Sequence, residues 1–233
     1  MKDTRPIVLL DLDNTILDFD IAERTALIRA LTRLGVPFDD ETLRRYNQIN
    51  LRHWEMLEDG IITREQLLYM RFEALYREIG VDCDPYLTQQ YYETLLAEGH
   101  WFLPGAEEML EALYGPYRLA LCSNGTQTVQ DGRIESAGIA HYFEKIFVSE
   151  HMGANKPEKR YFELCFAALS DFDPKRCIIV GDSLTSDIRG GKNAGILTCW
   201  FNPRHKAVRE GMEPDYEIDA LHQLAPLLRT CFT

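Results

Sequence analysis

The chain of 233 residues has no apolar run long enough to cross a bilayer, and its first apolar stretch, Ile7 to Leu10, is cut short by Asp11. Neither a transmembrane helix nor a secretory leader is expected. Positive charge is also scarce: 25 Lys and Arg face 37 Asp and Glu, for a formal net charge of −12. Such a field argues against a nucleic acid polymer or an anionic membrane as the main partner. A small phosphorylated metabolite stays open, because one metal ion or lysine reverses the field locally. The six cysteines include no C-x-x-C pair, and the six histidines show no zinc spacing. Cys122, Cys177 and Cys199 lie in apolar runs, where a free thiol behaves as a small hydrophobe. A reducing, cytoplasmic setting is the expectation. Internal repeats and low-complexity linkers are absent as well.

What is present is enough apolar content, 45%, to bury one large core or two modest ones. Ile7-Val8-Leu9-Leu10 reads as a short strand buried on both faces. It ends in Asp11-Leu12-Asp13-Asn14-Thr15, two acids spaced i, i+2. Two readings stay open at this point: a cap or surface turn, and a pair that holds a hard cation while one oxygen attacks. A calcium loop is excluded, since its sixth and twelfth positions would be Ile16 and Ala22 rather than Gly and Glu.

From about Asp20 to Gly99 only helical periodicity is found. Ile21, Leu27, Ile28, Leu31 and Leu34 mark a first stripe, and Asp40 is the expected cap of a second helix. Thr63 with Gln66 forms a capping box for a third, and Asp84-Pro85 opens a fourth. Strand and helix then alternate: strands at Tyr117 to Cys122, Lys145 to Val148, Cys177 to Val180, Ile196 to Phe201 and Tyr216 to Ile218. Helices are expected from Pro157 to Leu169 and from Ser186 to Ala194, among others. Repeated βα units call for a parallel sheet with helices on both faces, a Rossmann-like α/β core. The domain division is residues 1–18 with 100–233 as that core, discontinuous, and 19–99 as an inserted α-helical bundle.

Four strand ends carry polar signals: Asp11 and Asp13, then Ser123-Asn124-Gly125, then Lys156-Pro157, then Gly181-Asp182 with Asp187 five residues on. Each alone is ordinary turn chemistry. Together, on one rim of a parallel sheet, turn chemistry does not account for them.

These four motifs resemble those of the haloacid dehalogenase superfamily, as D-x-D-x-T, Ser/Thr, Lys and an Asp-rich segment in that order. The helical insertion resembles the family's first cap class. Asn50-x-x-x-Trp54, Asp59-Gly60-x-x-Thr63, Arg71-Phe72-Glu73 and Thr198-Cys199-Trp200-Phe201-Asn202 resemble its noncanonical pyrimidine 5′-nucleotidase branch. The resemblance implies a phosphate monoester hydrolase acting through an aspartyl-phosphate. Asp11 is the implied nucleophile and Asp13 the acid and base. Ser123, Asn124 (through its backbone N–H) and Lys156 would bind the phosphate. The implied metal ligands are Asp11, Asp13 through its backbone carbonyl, and Asp182, with Asp187 behind them orienting a water or Lys156. A set of oxygen ligands points to Mg²⁺ as the cofactor. Charge requires such help. Four ionised carboxylates and a phosphate dianion total about −6, against about +3 from Mg²⁺ and Lys156.

A pyrimidine nucleoside monophosphate is the first expected substrate. A sugar phosphate or a phosphomutase reaction is the alternative, and 2-haloacid dehalogenation is less expected because Asp13 suits an alcohol leaving group. Asn50, His53, Trp54, Tyr69 and Arg71 are candidate contacts to a base or sugar.

Overall fold

The computed structural model describes residues 3–232. The chain divides into two compact units, one ending at Phe19 and resuming at His100, the other spanning Asp20–Gly99.

In the first unit the strands are β1 (Ile7–Leu10), β2 (Arg118–Ser123), β3 (Lys145–Val148), β4 (Cys177–Gly181), β5 (Leu197–Phe201) and β6 (Tyr216–Ile218). They form one six-stranded sheet in the order β3-β2-β1-β4-β5-β6, every pairing parallel. The alternation of strand side chains divides the core in two. Val8, Leu10, Leu119, Leu121, Ile178 and Val180 face α5 (Ala106–Leu113) and α10 (Leu224–Cys231) through Met109, Leu110, Leu224 and Leu228. Ile7, Leu9, Ala120, Cys122 and Ile179 face α8 (Lys159–Ala168) through Tyr161, Phe162 and Cys165. Helices therefore cover both faces, and this is a Rossmann-like α/β core. Two more helices, α6 (Gln127–Ala137) and α7 (Ser149–Met152), follow β2 and β3.

Register decides which residues share the rim. Leu10 pairs with Leu121 on one side and Val180 on the other, so Asp11, Ser123 and Gly181 finish on the same edge. Two expectations change here. The helix expected from Pro157 begins at Lys159. The segment expected as one helix from Ser186 opens as a wide π-type turn over Leu184–Ile188 before α9 (Arg189–Ala194). Ser183 causes the widening: its carbonyl accepts from both Asp187 and Ile188, and its own N–H donates to Asp187 Oδ2.

The second unit holds α2 (Asp40–Glu58), α3 (Arg64–Ile79), α4 (Pro85–Leu96) and all of α1 (Phe19–Leu34) beyond Phe19. Thr63 and Gln66 form the capping box at α3, and Pro85 opens α4. The cap of α2 is Asp39 rather than Asp40: its carboxylate accepts from the Thr42 N–H at 2.8 Å. The apolar stripe of α1 also shifts. Ile21 is exposed, and the buried face is Ala22, Ala26, Leu27, Ala30 and Leu31. Small alanines let helices approach where a stripe of large residues would hold them apart.

The bundle interior pairs an aromatic cluster of Tyr46, Phe72 and Tyr92 with a polar chain drawn from all four helices. Arg71 donates to Asn50 Oδ1 at 2.8 Å and to Gln89 Oε1 at 2.7 Å, while Asn50 and Asn47 donate to Glu23. Asn50 and Arg71 are thus spent inside the bundle and are not exposed for ligand contact. Tyr69 stacks on Tyr86, and Trp54 packs on Leu57, Ile62 and Leu67.

Burial pushes the Glu23 carboxyl up to about 7, against the pull of Asn47 and Arg71. A carboxyl raised in the folded state makes the native chain bind more protons than the unfolded one between pH ~4 and 7, so stability falls as pH rises through that window. Relative to Glu23→Gln, wild type should lose on the order of 3 kcal/mol of unfolding free energy between pH 5 and 8. Urea unfolding at the two pH values checks this, and parallel pH slopes for the two proteins would refute it.

Candidate active site

Because β1, β2 and β4 end together, one short loop after each delivers a side chain to the same place. Asp11 continues the β1 ladder, its N–H donating to Val180 O at 3.0 Å. The chain then folds back: the N–H groups of Thr15, Ile16 and Leu17 converge on the Leu12 carbonyl, and Asn14 takes the left-handed conformation at φ 59°. Asn tolerates that region better than most residues. This turn brings Thr15 back to Asp11, where its hydroxyl donates to Asp11 Oδ2 at 3.2 Å.

Lys156 binds the other oxygen. Its ammonium donates to Asp11 Oδ1 at 2.7 Å, to Asp187 Oδ1 at 2.7 Å and to the Cys122 carbonyl at 2.8 Å. An ammonium has three protons, and all three are placed. Lys156 is only 1% exposed. Burial pulls its pKa down, but Asp11 and Asp187 outweigh that and hold it above the usual lysine range. The Asn124 side chain fixes the lysine's backbone in a reciprocal pair, each bond 2.8 Å: its Nδ2 donates to Lys156 O, and the Lys156 N–H donates to its Oδ1. Asn124 therefore acts on Lys156 through its side chain.

Asp11, Asp182 and Asp187 each place a carboxylate oxygen within 4.8 Å of the others. Burial pushes Asp11 up to about 7, with Lys156 opposing and Asp187 and Asp13 adding to the rise. Burial also raises Asp182, beside the negative charges of Asp11 and Asp187. Three crowded carboxylates with a single buried ammonium among them are short of positive charge. An oxygen-only cluster in that condition fits a hard divalent cation of the Mg²⁺ class. Asp182 is held by its neighbour strand, since the Trp200 indole N–H donates to the Asp182 carbonyl at 2.9 Å. Gly181 leaves room for Asp187: a Cβ there would lie 2.1 Å from Asp187 Oδ2.

Asp13 stands apart from this cluster. Its carboxylate accepts from Gln130 Nε2 at 2.6 Å and pairs with the guanidinium of Arg133, a residue without solvent exposure. Neither Gln130 nor Arg133 is conspicuous in the sequence. Both lie on α6 among polar residues that read as a solvated face, and i, i+3 spacing is their one shared signal. Thr15 stood inside the first motif, but its contact with Asp11 depends on the turn at Asn14.

A sequence model of the haloacid dehalogenase-like hydrolases matches residues 6–195. The chain belongs to this family. It is therefore a hydrolase by kinship. The haloacid dehalogenase-like hydrolase YfnB of Bacillus subtilis is 38% identical over 95% of this chain and 94% of its own. Its crystal structure, bound to magnesium, superposes with a TM-score of 0.92 at 37% identity, covering 97% of this chain and 99% of that one. The pyrimidine 5′-nucleotidases PynA of Streptococcus pneumoniae and YjjG of Escherichia coli are 35% and 34% identical, each over 95% of this chain and 94% and 96% of theirs. Among the described residues no helix is long and apolar enough to cross a membrane.

The buried ion pairs yield a stability prediction. Lys156→Met leaves Asp11 and Asp187 together without their cation, and unfolding by urea at pH 7.5 should show a loss of about 3–5 kcal/mol. A loss below about 1 kcal/mol would mean that the lysine does not balance these acids.

Proposed function

We propose that this haloacid dehalogenase-like hydrolase is a Mg²⁺-dependent phosphate monoesterase, with pyrimidine nucleoside 5′-monophosphates as first substrate. The observation that carries the reading is the separation of the two acids of the first motif. Asp11 sits with Lys156 in the three-carboxylate cluster, and Asp13 is turned to Gln130 and Arg133 outside it. Sequence kinship to two named pyrimidine 5′-nucleotidases supports the substrate class. The magnesium in the YfnB structure supports the metal.

In this reading Asp11 attacks phosphorus in line, and the bond to the leaving oxygen breaks as Asp13 gives that oxygen its proton. A water then attacks the aspartyl-phosphate, Asp13 takes the water's proton, and the phosphorus–Asp11 bond breaks to release phosphate. Thr15 and Lys156 hold the Asp11 carboxylate in line. Ser123 donates its hydroxyl proton to a phosphoryl oxygen, and Lys156 balances the charge there. The Asp11 and Asp182 carboxylates and the Asp13 carbonyl would hold Mg²⁺, with Asp187 beside them. When bound, the ion neutralises charge that would otherwise repel the phosphate dianion. Arg133 adds a buried cation to the one that Lys156 supplies.

We assign the chemistry to the α/β unit, residues 1–18 with 100–233, and treat 19–99 as its cap. Four of the six cysteines are buried as thiols, which accords with a cytoplasmic setting. A sugar phosphate is the second candidate substrate.

The test is a panel of 5′-nucleotides, sugar phosphates and 2-haloacids with and without Mg²⁺. Phosphate release from pyrimidine nucleotides is expected, abolished by chelator and lowered at least ~10³-fold by Asp11→Asn. Release that persists in that variant, or haloacid turnover without phosphate release, sinks the reading.

A further inference from the structure

Ser123 and Asp13 are joined by one side chain. Gln130 Nε2 lies 2.7 Å from Ser123 Oγ and 2.6 Å from Asp13 Oδ2, so the two protons of a single amide reach both groups. The amide cannot be turned over without loss, because its oxygen accepts from Arg133 Nη1 at 3.3 Å, and the same Nη1 pairs with Asp13 Oδ1. The Arg133 guanidinium lies 5.5 Å over the Phe19 ring, which holds its plane. Gln130 is 1% exposed and Arg133 fully buried. The position of Gln130 explains Gly125: a Cβ there would fall 2.4 Å from Gln130 Nε2.

The bonds also settle how Ser123 uses its proton. Its oxygen accepts from the Gly125 N–H at 3.0 Å and from Gln130, which occupies both lone pairs. Its hydroxyl hydrogen is left to be donated.

We propose that Gln130 and Arg133 are positioning residues that aim the Asp13 carboxyl at the leaving oxygen and make Ser123 a donor through one shared amide. Neither touches substrate. Arg133 acts on Asp13 and on the orientation of Gln130, and Gln130 acts on Asp13 and Ser123. The inference rests on the phosphate monoesterase reading above.

Leaving groups separate this role from a structural one. Breaking an alkyl ester needs the proton of Asp13, whereas p-nitrophenolate departs without it. The comparison uses kcat/KM in Mg²⁺, which reports the steps up to the first loss of leaving group, for a nucleoside 5′-monophosphate and p-nitrophenyl phosphate. In Gln130→Met, kcat/KM for the nucleotide should fall on the order of 10–100-fold more than for the aryl ester. Arg133→Met should show the same split, with Arg133→Lys partly restoring the nucleotide rate. Gly125→Ala, which displaces the amide without removing it, should reproduce the split in smaller measure. Circular dichroism and melting curves check that each variant folds. Should Arg133→Met fail to fold, Gln130→Met and Gly125→Ala decide the matter.

Equal losses on both substrates in folded Gln130→Met and Gly125→Ala overturn the proposal. Wild-type enzyme that releases phosphate from neither substrate instead overturns the monoesterase reading, and this inference with it.

Discussion

The candidate site depends on one buried ammonium. Lys156 lies buried between Asp11 and Asp187, and each of its protons has a fixed acceptor. Two carboxylates so close would repel strongly in a dry interior. With the lysine between them, Asp187 becomes a brace for the cation, and Asp11 has one oxygen on the lysine and the other on the Thr15 hydroxyl. The loops at the rim follow from that arrangement. Asn124 clasps the lysine's backbone, Tyr161 beneath it donates to the Phe147 carbonyl, and the wide turn after Ser183 swings Asp187 back toward β4.

A second pair of charges, Asp13 with Arg133, repeats the pattern on the other side of β1. Each acid of the first motif has its own buried cation, delivered by a different element: Lys156 from the loop after α7, Arg133 from α6. Keeping the cations apart keeps the acids apart. One pair belongs to the cluster suited to a metal, and the other stands outside it with Gln130. Gly181 and Gly125 provide the space in which Asp187 and Gln130 reach these pairs, so backbone atoms of two strand ends approach side chains of two helical segments.

Much of this was legible in the sequence because strand ends in a parallel sheet must share an edge. Unbroken apolar runs such as Cys177 to Val180 mark central strands, and acids directly after them mark the rim. Local capping chemistry was equally readable at Thr63 and Pro85, where side-chain geometry depends only on near neighbours. Long-range commitments were not. Asn50 and Arg71 look like ligand contacts until the bundle brings Glu23 and Gln89 to them, and Arg133 looks like a surface residue until α6 docks beneath Asp13. The stripe of α1 was legible only in part. Leu27 and Leu31 pack inward as periodicity indicates, but counting large apolar residues passes over Ala22, Ala26 and Ala30, which complete the buried face and admit a close neighbour. The wide turn at Leu184–Ile188 carries no period of its own and is created by Ser183 and Asp187.

One further consequence lies in the way the chain leaves and re-enters the α/β unit. Leu17 and Phe102 form an antiparallel bridge, Asp18 N–H donates to the Trp101 carbonyl at 2.7 Å, and Leu103 N–H donates to the Ile16 carbonyl at 3.0 Å. Departure and return are thus a two-stranded ribbon a few residues past Thr15, with backbones about 5 Å apart as in any antiparallel pair. To the sheet, eighty intervening residues and a tight hairpin make the same demand, since either satisfies the ribbon. The fold therefore has an interchangeable socket a few residues past Asp11. Inserts of other lengths and architectures could be exchanged there in evolution or by grafting, with the loop from Asp11 to Thr15 left unchanged.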